Sequence, residues 1–308
     1  MRRIYFLSLF LLASCSFLLA SCGLAYQRAA NLPPALNLQP VAHFDSSLRE
    51  TSGLIRWQRH FISHNDSGNA PDLFILDKAG KLLGRVPVAA ENHDWEDITA
   101  HGTQLYIADI GNNSGRRRDL NILVIPFSTA ALKQPPLSLA SKLPVAYAEQ
   151  SHVQPTPYQH NFDAEALTWV NGELWLFTKR WRDQKTDIYK VPTAAPSEAS
   201  NQAASPLHAQ QRLDPQMLVT GADFDARTHT LMLLGYSRSW FYRRAWIWLY
   251  PVQDGKVIEH LGRKYPLNKS GQFEGISLGH DGFIYVTREG WRTNMFHTEL
   301  TLSQLLTD

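Results

Sequence analysis

Short runs of alternating apolar and polar residues recur along the chain, and each follows a small polar motif. The motif is an oxygen-bearing residue, then a small or acidic residue, then in most copies a large aliphatic residue. We call its first residue the anchor. The copies are Ser52-Gly53-Leu54, Glu96-Asp97-Ile98, Glu165-Ala166-Leu167, Thr220-Gly221-Ala222 and Glu274-Gly275-Ile276. About nine residues after four of the anchors comes an alternating aromatic and aliphatic segment, which predicts a half-buried strand.

Turn signals separate each motif from its strand. Asn171-Gly172 and Asp281-Gly282 supply the positive φ that a tight hairpin requires. Each unit continues with a third strand and then a fourth, for which 144–147 and 257–265 are examples. Four short antiparallel strands, repeated about every fifty residues, are typical of a β-propeller blade. The sequence therefore predicts an all-β protein with a five-bladed β-propeller over residues 38–308.

Closure of the ring is predicted from the two ends of the chain. The last unit lacks an obvious fourth strand, because residues 301–306 favour a terminal helix. The segment 41–44, before the first anchor, can supply that strand and close the last blade. A sixth blade stays open as an alternative if residues 128–160 contain one. The competing fold is a β-sandwich, which would not require the same anchor-to-strand interval in successive units.

The N-terminus predicts export and lipid attachment. Arg2 and Arg3 precede an uncharged apolar run that ends in Leu19-Ala20-Ser21-Cys22, which resembles the lipobox of bacterial lipoproteins. Cys15 is the alternative acylation site, and an uncleaved membrane anchor is the alternative to processing. The predicted organisation is a signal peptide at 1–21, a lipidated tether at 22–37 and the propeller at 38–308.

Composition and charge support a location outside the cytoplasm. Both cysteines lie in the N-terminal segment, so the mature domain has no disulfide. Removing Arg2 and Arg3 lowers the basic count from 30 to 28, which equals the 28 acidic residues. A neutral domain gives no electrostatic argument for a nucleic-acid partner. We expect a cell-envelope protein, and Gly23 after Cys22 favours the outer membrane.

The anchors are the predicted metal ligands. In a propeller, the first strand of each blade lines the central channel, so equivalent positions converge near one mouth. Converging carboxylates repel one another unless a cation compensates them. Calcium accepts six to eight oxygen ligands in irregular geometry, whereas zinc and copper prefer His or Cys. The predicted ligands are Ser52, Glu96, Glu165, Thr220 and Glu274. The alternative is that backbone N–H groups and channel water satisfy the glutamates.

The loops after the second strands return to the same mouth and carry charged residues. The predicted ligand-binding residues are His64, Asp66, Asp109, Lys179, Arg180, Arg238 and Arg288. The predicted function is a module that binds a small anionic ligand, a glycan or an envelope protein. The alternative is a calcium-dependent phosphoester or ester hydrolase with its active site at the mouth. No nucleophile elbow or zinc-binding helix motif supports catalysis.

The first two units carry a family resemblance. His64-Asn65-Asp66-Ser67-Gly68, Asp94-Trp95-Glu96-Asp97-Ile98 and Asp109-Ile110-Gly111-Asn112-Asn113 resemble an uncharacterised family of bacterial exported and lipoprotein propellers. The Ser-Gly-Leu and Glu-Gly-Ile motifs are similar to those of SdiA-regulated propellers. More distantly, the anchor order is similar to the calcium ring of the five-bladed calcium-activated apyrases, with Thr220 in place of a Ser. This resemblance implies calcium at the anchors, but no apyrase active-site motif accompanies it.

Overall fold

A computed structural model describes residues 33–150, 156–193, 205–239, 242–292 and 294–307. The predicted signal peptide, Cys15 and Cys22 lie outside these residues, so lipid attachment stays a prediction. Within the described ranges, no helix is both long enough and apolar enough to cross a membrane. The structure is almost entirely β-sheet, and its strands form five antiparallel sheets arranged as the five blades of a propeller.

The first three blades follow the chain order. The first strand of the chain, β1 (Leu38–Ala42), belongs to blade 5. Blade 1 is built from four consecutive strands: β2 (Thr51–Trp57), β3 (His60–Asn65), β4 (Asp72–Leu76) and β5 (Leu82–Pro87). Blade 2 is built from β6 (Trp95–His101), β7 (Gln104–Asp109), β8 (Asn121–Pro126) and β9 (Ser141–Pro144). Blade 3 is built from β10 (Ala164–Val170), β11 (Glu173–Thr178), β12 (Thr186–Val191) and β13 (Gln211–Leu213).

Blades 4 and 5 complete the ring. Blade 4 is built from β14 (Leu218–Asp225), β15 (Thr230–Tyr236), β16 (Arg244–Gln253), the short β17 (Lys256–Val257) and β18 (Arg263–Ser270). Blade 5 is built from β19 (Phe273–Leu278), β20 (Phe283–Arg288), β21 (Met295–Thr301) and β1 (Leu38–Ala42). A terminal helix, α1 (Leu302–Thr307), follows β21, as residues 301–306 predicted.

The N-terminal strand closes the last blade, which confirms the predicted closure. β1 pairs antiparallel with β21, with Leu38 opposite Thr298 and Ala42 opposite Met295. The strand begins earlier than the predicted segment 41–44, because Leu36 and Leu38 supply the buried positions. Leu36 also hydrogen-bonds to β18 through Pro266, so ordered contacts begin before residue 38.

Two fourth strands differ from the prediction. The fourth strand of blade 2 is Ser141–Pro144 rather than 144–147, and that of blade 4 is Arg263–Ser270 rather than 257–265. Outer strands are half exposed, so their hydrophobic alternation is weak and their bounds are hard to predict. The described part of 128–160 adds only β9 to blade 2, so the ring has five blades.

The hydrophobic core lies between the blades. Each of five buried clusters joins two neighbouring blades, and β2–β5 pack against β6–β9 through residues such as Ile62, Trp95 and Ile107. Aliphatic and aromatic residues that alternate along the strands therefore face the adjacent blade rather than one common centre. The five innermost strands are left to pack edge by edge around the axis.

Glycine follows three of the anchors because neighbouring innermost strands approach closely there. A Cβ on Gly275 would lie 2.7 Å from Leu54 Cβ and 2.7 Å from the Ser52 carbonyl oxygen. A Cβ on Gly53 would lie 2.7 Å from the backbone nitrogen of Ile98. These contacts come from rigid neighbours, so the small residue in the motif is required by packing.

We expect Gly275→Ala to lower the free energy of unfolding by about 1–3 kcal/mol, because the added methyl group overpacks the axis. Gly84→Ala is the matched control, since no atom lies within 4 Å of the position a Cβ would take. Chemical denaturation of both variants measures the difference. Equal stability of the two variants would contradict the close approach of the innermost strands.

Candidate functional site

All five anchors lie in β-bulges at the start of the innermost strands. The register of the first strand pair in every blade shifts at the anchor, and the shifts fall between Thr51 and Leu54, Trp95 and Asp97, Ala164 and Ala166, Val219 and Gly221, and Phe273 and Ile276. A bulge leaves its extra residue out of the ladder and re-aims its side chain. The five anchor side chains are buried, and four of them line one pocket.

That pocket is the mouth of the channel, and it encloses about 210 Å³. Its charged lining contains five acidic residues and two basic residues. These are Asp66, Glu96, Glu165, Glu274, Glu289, Lys179 and Arg243. Tyr158, Trp181 and Tyr236 supply its aromatic surface. The pocket is therefore acidic, polar and partly aromatic.

A buried lysine compensates one side of the ring. Lys179, at the end of β11, forms an ion pair with Glu165 and donates a hydrogen bond to the Tyr236 hydroxyl at 3.1 Å. Tyr236 in turn donates to Glu274 Oε1 at 3.2 Å. This chain of contacts joins blades 3, 4 and 5 across the mouth. The ammonium group of Lys179 therefore neutralises part of the repulsion among the three anchor glutamates without a metal.

On the other side of the mouth, no lysine or arginine among the described residues forms an ion pair with Glu96. Asp66, Asp94 and Glu96 each offer a carboxylate oxygen, and these oxygens lie within 4.8 Å of one another. We call these three residues the acidic trio. Glu96 is only 6% exposed, and no hydrogen-bond donor among the described residues contacts its carboxylate. An ionised carboxylate without a partner is costly in a buried position, so a cation beside the trio would be stabilising.

Gly111 creates the space that the trio occupies. A side chain at this position would collide with the carboxylates of Asp94 and Glu96. Its backbone N–H donates to the Asp94 carbonyl oxygen at 3.1 Å, which fixes the loop against the trio. The glycine in the Asp-Ile-Gly-Asn-Asn segment is therefore explained by the approach of two acidic side chains.

Burial and like charges raise the pKa values of the trio. Desolvation, followed by the charges of Asp66 and Asp163, raises the pKa of Asp94 to about 7. Desolvation and then the charge of Glu165 raise the pKa of Glu96 well above its ordinary range. A bound divalent cation would reverse both effects, because it favours the ionised carboxylates.

Glu96 also belongs to a second acidic group with Asp163 and Glu165, again with ligand atoms within 4.8 Å. Asp163 already accepts hydrogen bonds from the Asn112 backbone N–H and from Trp181 Nε1, both at 2.7 Å. Glu165 accepts from Lys179. The second group therefore has donors at two of its three carboxylates. In the trio, Ser67 donates to Asp66 and to Asp94, so Glu96 is the member of both groups without a donor among the described residues.

The two hydroxyl anchors connect neighbouring blades. Ser52 Oγ donates to the Glu96 carbonyl oxygen at 2.6 Å, and Thr220 Oγ1 donates to the Phe273 carbonyl oxygen at 2.6 Å. Ser52 still lines the pocket, but Thr220 is not among its lining residues. The five anchors thus fall into three groups. Ser52 and Thr220 hydrogen-bond to neighbouring blades, Glu165 and Glu274 are connected through Lys179 and Tyr236, and Glu96 stands apart from both groups. The full ring as a set of metal ligands stays a prediction.

Three of the predicted ligand-binding residues have other partners outside the pocket. His64 is fully buried against Trp95, and its Nδ1–H donates to the Asn65 carbonyl oxygen at 3.0 Å. Desolvation lowers the pKa of His64 to about 4, so the ring is neutral. Asp109 pairs with Arg117 at 3.0 Å. Arg180 pairs with Asp183 and Asp187, both at 2.6 Å, on the outer part of blade 3.

The remaining predicted residues lie at or near the mouth. Asp66 and Lys179 line the pocket directly. Arg238 is exposed, and its Nη2 donates to the Tyr158 carbonyl oxygen at 3.4 Å, at the pocket rim. Arg288 donates to the Ser270 carbonyl oxygen at 3.0 Å and lies over the rings of Phe273 and Phe296. The structure thus brings Asp66 and Lys179 together with four anchors.

Several site residues were not among the predicted ones. They are Asp94, Tyr236, Arg243, Gln272 and Glu289. Asp94 lies two residues before an anchor, and Tyr236 and Glu289 lie at or just after the ends of second strands. Their positions relative to the repeat carry the signal, because residues at the ends of innermost and second strands face the same mouth.

Comparison with known proteins identifies the fold. No family model matches the chain, and no curated protein matches its sequence. Two structures of glucose dehydrogenase align over 86% of this chain and 99% of their own, each with a TM-score of 0.50, at 10% and 9% identity. This chain shares their propeller fold. A regucalcin from Agrobacterium tumefaciens strain C58, described as a calcium-binding protein, aligns over 88% of this chain and 96% of its own, with a TM-score of 0.46 and 12% identity.

These likenesses concern the fold alone. At about one identical residue in ten, neither a dehydrogenase activity nor a calcium site transfers to the propeller described here. The finer family resemblances drawn from the sequence stay hypotheses.

We expect Lys179→Met to lower the stability of the metal-free protein by about 3–5 kcal/mol, because Glu165 would keep a buried charge without a partner. Adding Glu165→Gln to this variant should restore most of the loss. Urea denaturation in EDTA measures both effects. A single variant as stable as the wild type would show that Lys179 does not compensate the ring.

We expect the metal-free protein to lose stability as the pH rises from 5 to 8. The raised pKa of Asp94 means that the folded state holds a proton that the unfolded state has released above about pH 4. Asp94→Asn should therefore flatten the dependence of unfolding free energy on pH. The control is Asp45→Asn, because hydrogen bonds from Ser47 lower the pKa of Asp45 and place its contribution below this range. Identical slopes in wild type and Asp94→Asn would contradict the assignment.

Proposed function

We propose that this protein is an exported, lipid-anchored β-propeller that binds calcium, or another hard divalent cation, at the mouth of its channel. In this proposal the bound cation helps the mouth to hold a ligand or partner. The observation that supports the cation is the acidic trio, in which the buried Glu96 carboxylate lies beside Asp66 and Asp94 without a hydrogen-bond donor.

The ligand chemistry of the trio favours a hard cation. Three carboxylates can supply up to six oxygens, and the open pocket has room for water to complete the coordination. No histidine or cysteine lies in either acidic group, which disfavours zinc and copper. We place the cation at Asp66, Asp94 and Glu96 rather than at the centre of all five anchors.

The pocket lining also bears on the ligand. Five acidic residues face two basic ones, so an anion would be repelled unless it contacted the cation directly. Tyr158, Trp181 and Tyr236 offer aromatic faces next to carboxylates. Aromatic faces combined with a few polar groups suit a neutral polyhydroxylated ligand such as a glycan better than a phosphoester. We therefore favour a binding module over the alternative of a phosphoester or ester hydrolase.

Calcium should raise the melting temperature of the purified protein, and EDTA should lower it. A cation that binds only the folded state stabilises it by about 2.7 kcal/mol at a hundredfold excess over Kd. Glu96→Gln should remove most of this response while leaving the EDTA-treated protein as stable or more stable, since a repelling charge is lost. Differential scanning calorimetry with and without calcium measures both.

The matched control is Glu173→Gln, which removes the same charge at the opposite end of blade 3, where Glu173 pairs with Lys190. This variant should respond to calcium as the wild type does. A wild-type melting curve that neither calcium, magnesium nor manganese shifts would overturn the proposed cation site.

A further inference from the structure

A second groove lies at the end of the propeller opposite the acidic mouth. Because every innermost strand starts at the mouth, the turns after the first and third strands lie at the far end. The turns at 58–59, 77–81 and 279–282 surround a groove between blades 1 and 5 that encloses about 720 Å³. We call this the basal groove, and the end of the propeller that carries it the basal face.

Three cationic side chains, Arg56, Arg59 and Lys78, line the basal groove. The charge of Arg56 acts on the buried Asp223, whereas Arg59 and Lys78 form no ion pair with another described residue. Arg56 is fixed, since its Nε donates to the Leu278 carbonyl oxygen at 2.9 Å. Arg59 and Lys78 are exposed at the tips of their turns. Exposed cations around a groove favour an anionic partner.

The acidic residues of the groove are engaged in its own turns. Asp77 Oδ1 accepts from the backbone N–H groups of Ala79 and Lys81, at 2.8 and 2.9 Å. Asp281 Oδ2 accepts from the Tyr285 hydroxyl at 2.9 Å. Neither carboxylate pairs with Arg59 or Lys78, so the cations remain directed toward solvent.

Exposed leucines accompany these cations. Leu82 is 37% exposed and Leu83 is 51% exposed, directly after Lys81 on the same turn. Leu261 is 55% exposed and precedes Arg263, where β18 starts at the basal end. Basic side chains next to exposed aliphatic ones are typical of a surface that lies on a lipid interface.

The chain also leaves the propeller at this end. β1 starts at the basal end, because Leu38 lies opposite Thr298 near the end of β21. Pro33 and Pro34 line a pocket with Gly262 and Arg263, which belong to the same end. The chain that leads back to Cys22 therefore departs from the basal face and not from the mouth.

We propose that the basal face docks on the anionic phospholipid headgroups of the membrane that carries the anchor. Arg59, Lys78 and Lys81 contact headgroup phosphates, and the exposed leucines enter the interface. The acidic mouth then faces away from the bilayer. This rests on the proposed membrane location but not on the cation site.

Because the tether is short, even a weak affinity of the basal face for the bilayer is enough to orient the propeller. From Cys22 to Pro33 the extended chain spans at most about 40 Å, so an anchored propeller stays close to the bilayer. Tethering raises the effective concentration of the docking face, which allows a few basic side chains to fix its orientation.

The test uses the chain from Gly23, which retains every strand of the ring and lacks both cysteines, so no lipid is attached. Vesicles of phosphatidylglycerol and phosphatidylcholine in equal parts, with EDTA to prevent calcium bridging, should bind this protein in a flotation assay. Phosphatidylcholine vesicles should not, and salt should weaken the binding. Arg59→Gln with Lys78→Gln should lower the partition coefficient about 25-fold, at about fivefold for each cation.

The matched control is Arg116→Gln with Arg182→Gln, two exposed arginines on the loops of the mouth. This variant should bind vesicles as the wild type does. Equal loss in both variants, or no binding to phosphatidylglycerol, would overturn the proposal. Thermal stabilisation by inorganic phosphate without vesicle binding would also overturn it and would identify the groove as a small-anion site. A protein that loses its calcium response but still binds vesicles would refute the cation site alone.

Discussion

The close approach of five innermost strands around one axis is the constraint on which the rest of the structure depends. The residue after each anchor must therefore be small, as Gly53 and Gly275 are, or accept a hydrogen bond from the next backbone N–H, as Asp97 does. Each anchor lies in a bulge, outside the backbone pairing of the first two strands. Polar side chains are thereby forced into a buried ring, where their charges interact strongly. Lys179 compensates the side formed by Glu165 and Glu274, whereas no lysine or arginine in the described part of the chain pairs with Glu96. The asymmetry of the mouth follows from this difference between blades.

The repeat pattern was sufficient to predict the five blades, the closure by the N-terminal segment and the convergence of the anchors. It could not place Lys179 and Arg180, because a strand end does not reveal which of two successive residues faces the axis until the register is known. Lys179 continues the side of β11 that carries Phe177 and reaches Glu165, while Arg180 turns outward to Asp187. Asp97, the residue after the second anchor, connects blade 2 to blade 3, because its Oδ2 accepts the backbone N–H of Leu167 at 2.8 Å. Edge strands were the least predictable part, since β1 contains Pro40 and is exposed on one side.

The contrast between the two ends of the molecule links the site to its surroundings. Acidic residues predominate at the mouth, and Arg56, Arg59 and Lys78 line the basal groove. A protein with separated charge of this kind has a preferred orientation in an electric field such as that above an anionic bilayer. The mouth then meets the solution from which a ligand would arrive, and the proposed cation and lipid contacts do not compete for the same surface.

Closure by β1 also determines how the molecule bears mechanical load. A pull applied through Pro33 acts along β1, parallel to the strand axis and at right angles to its hydrogen bonds with β21. Those bonds are then loaded together in shear, instead of being opened one after another from the end of the strand. A pull on the N-terminal segment therefore loads the β1–β21 pairing, which completes blade 5, before it loads any other sheet.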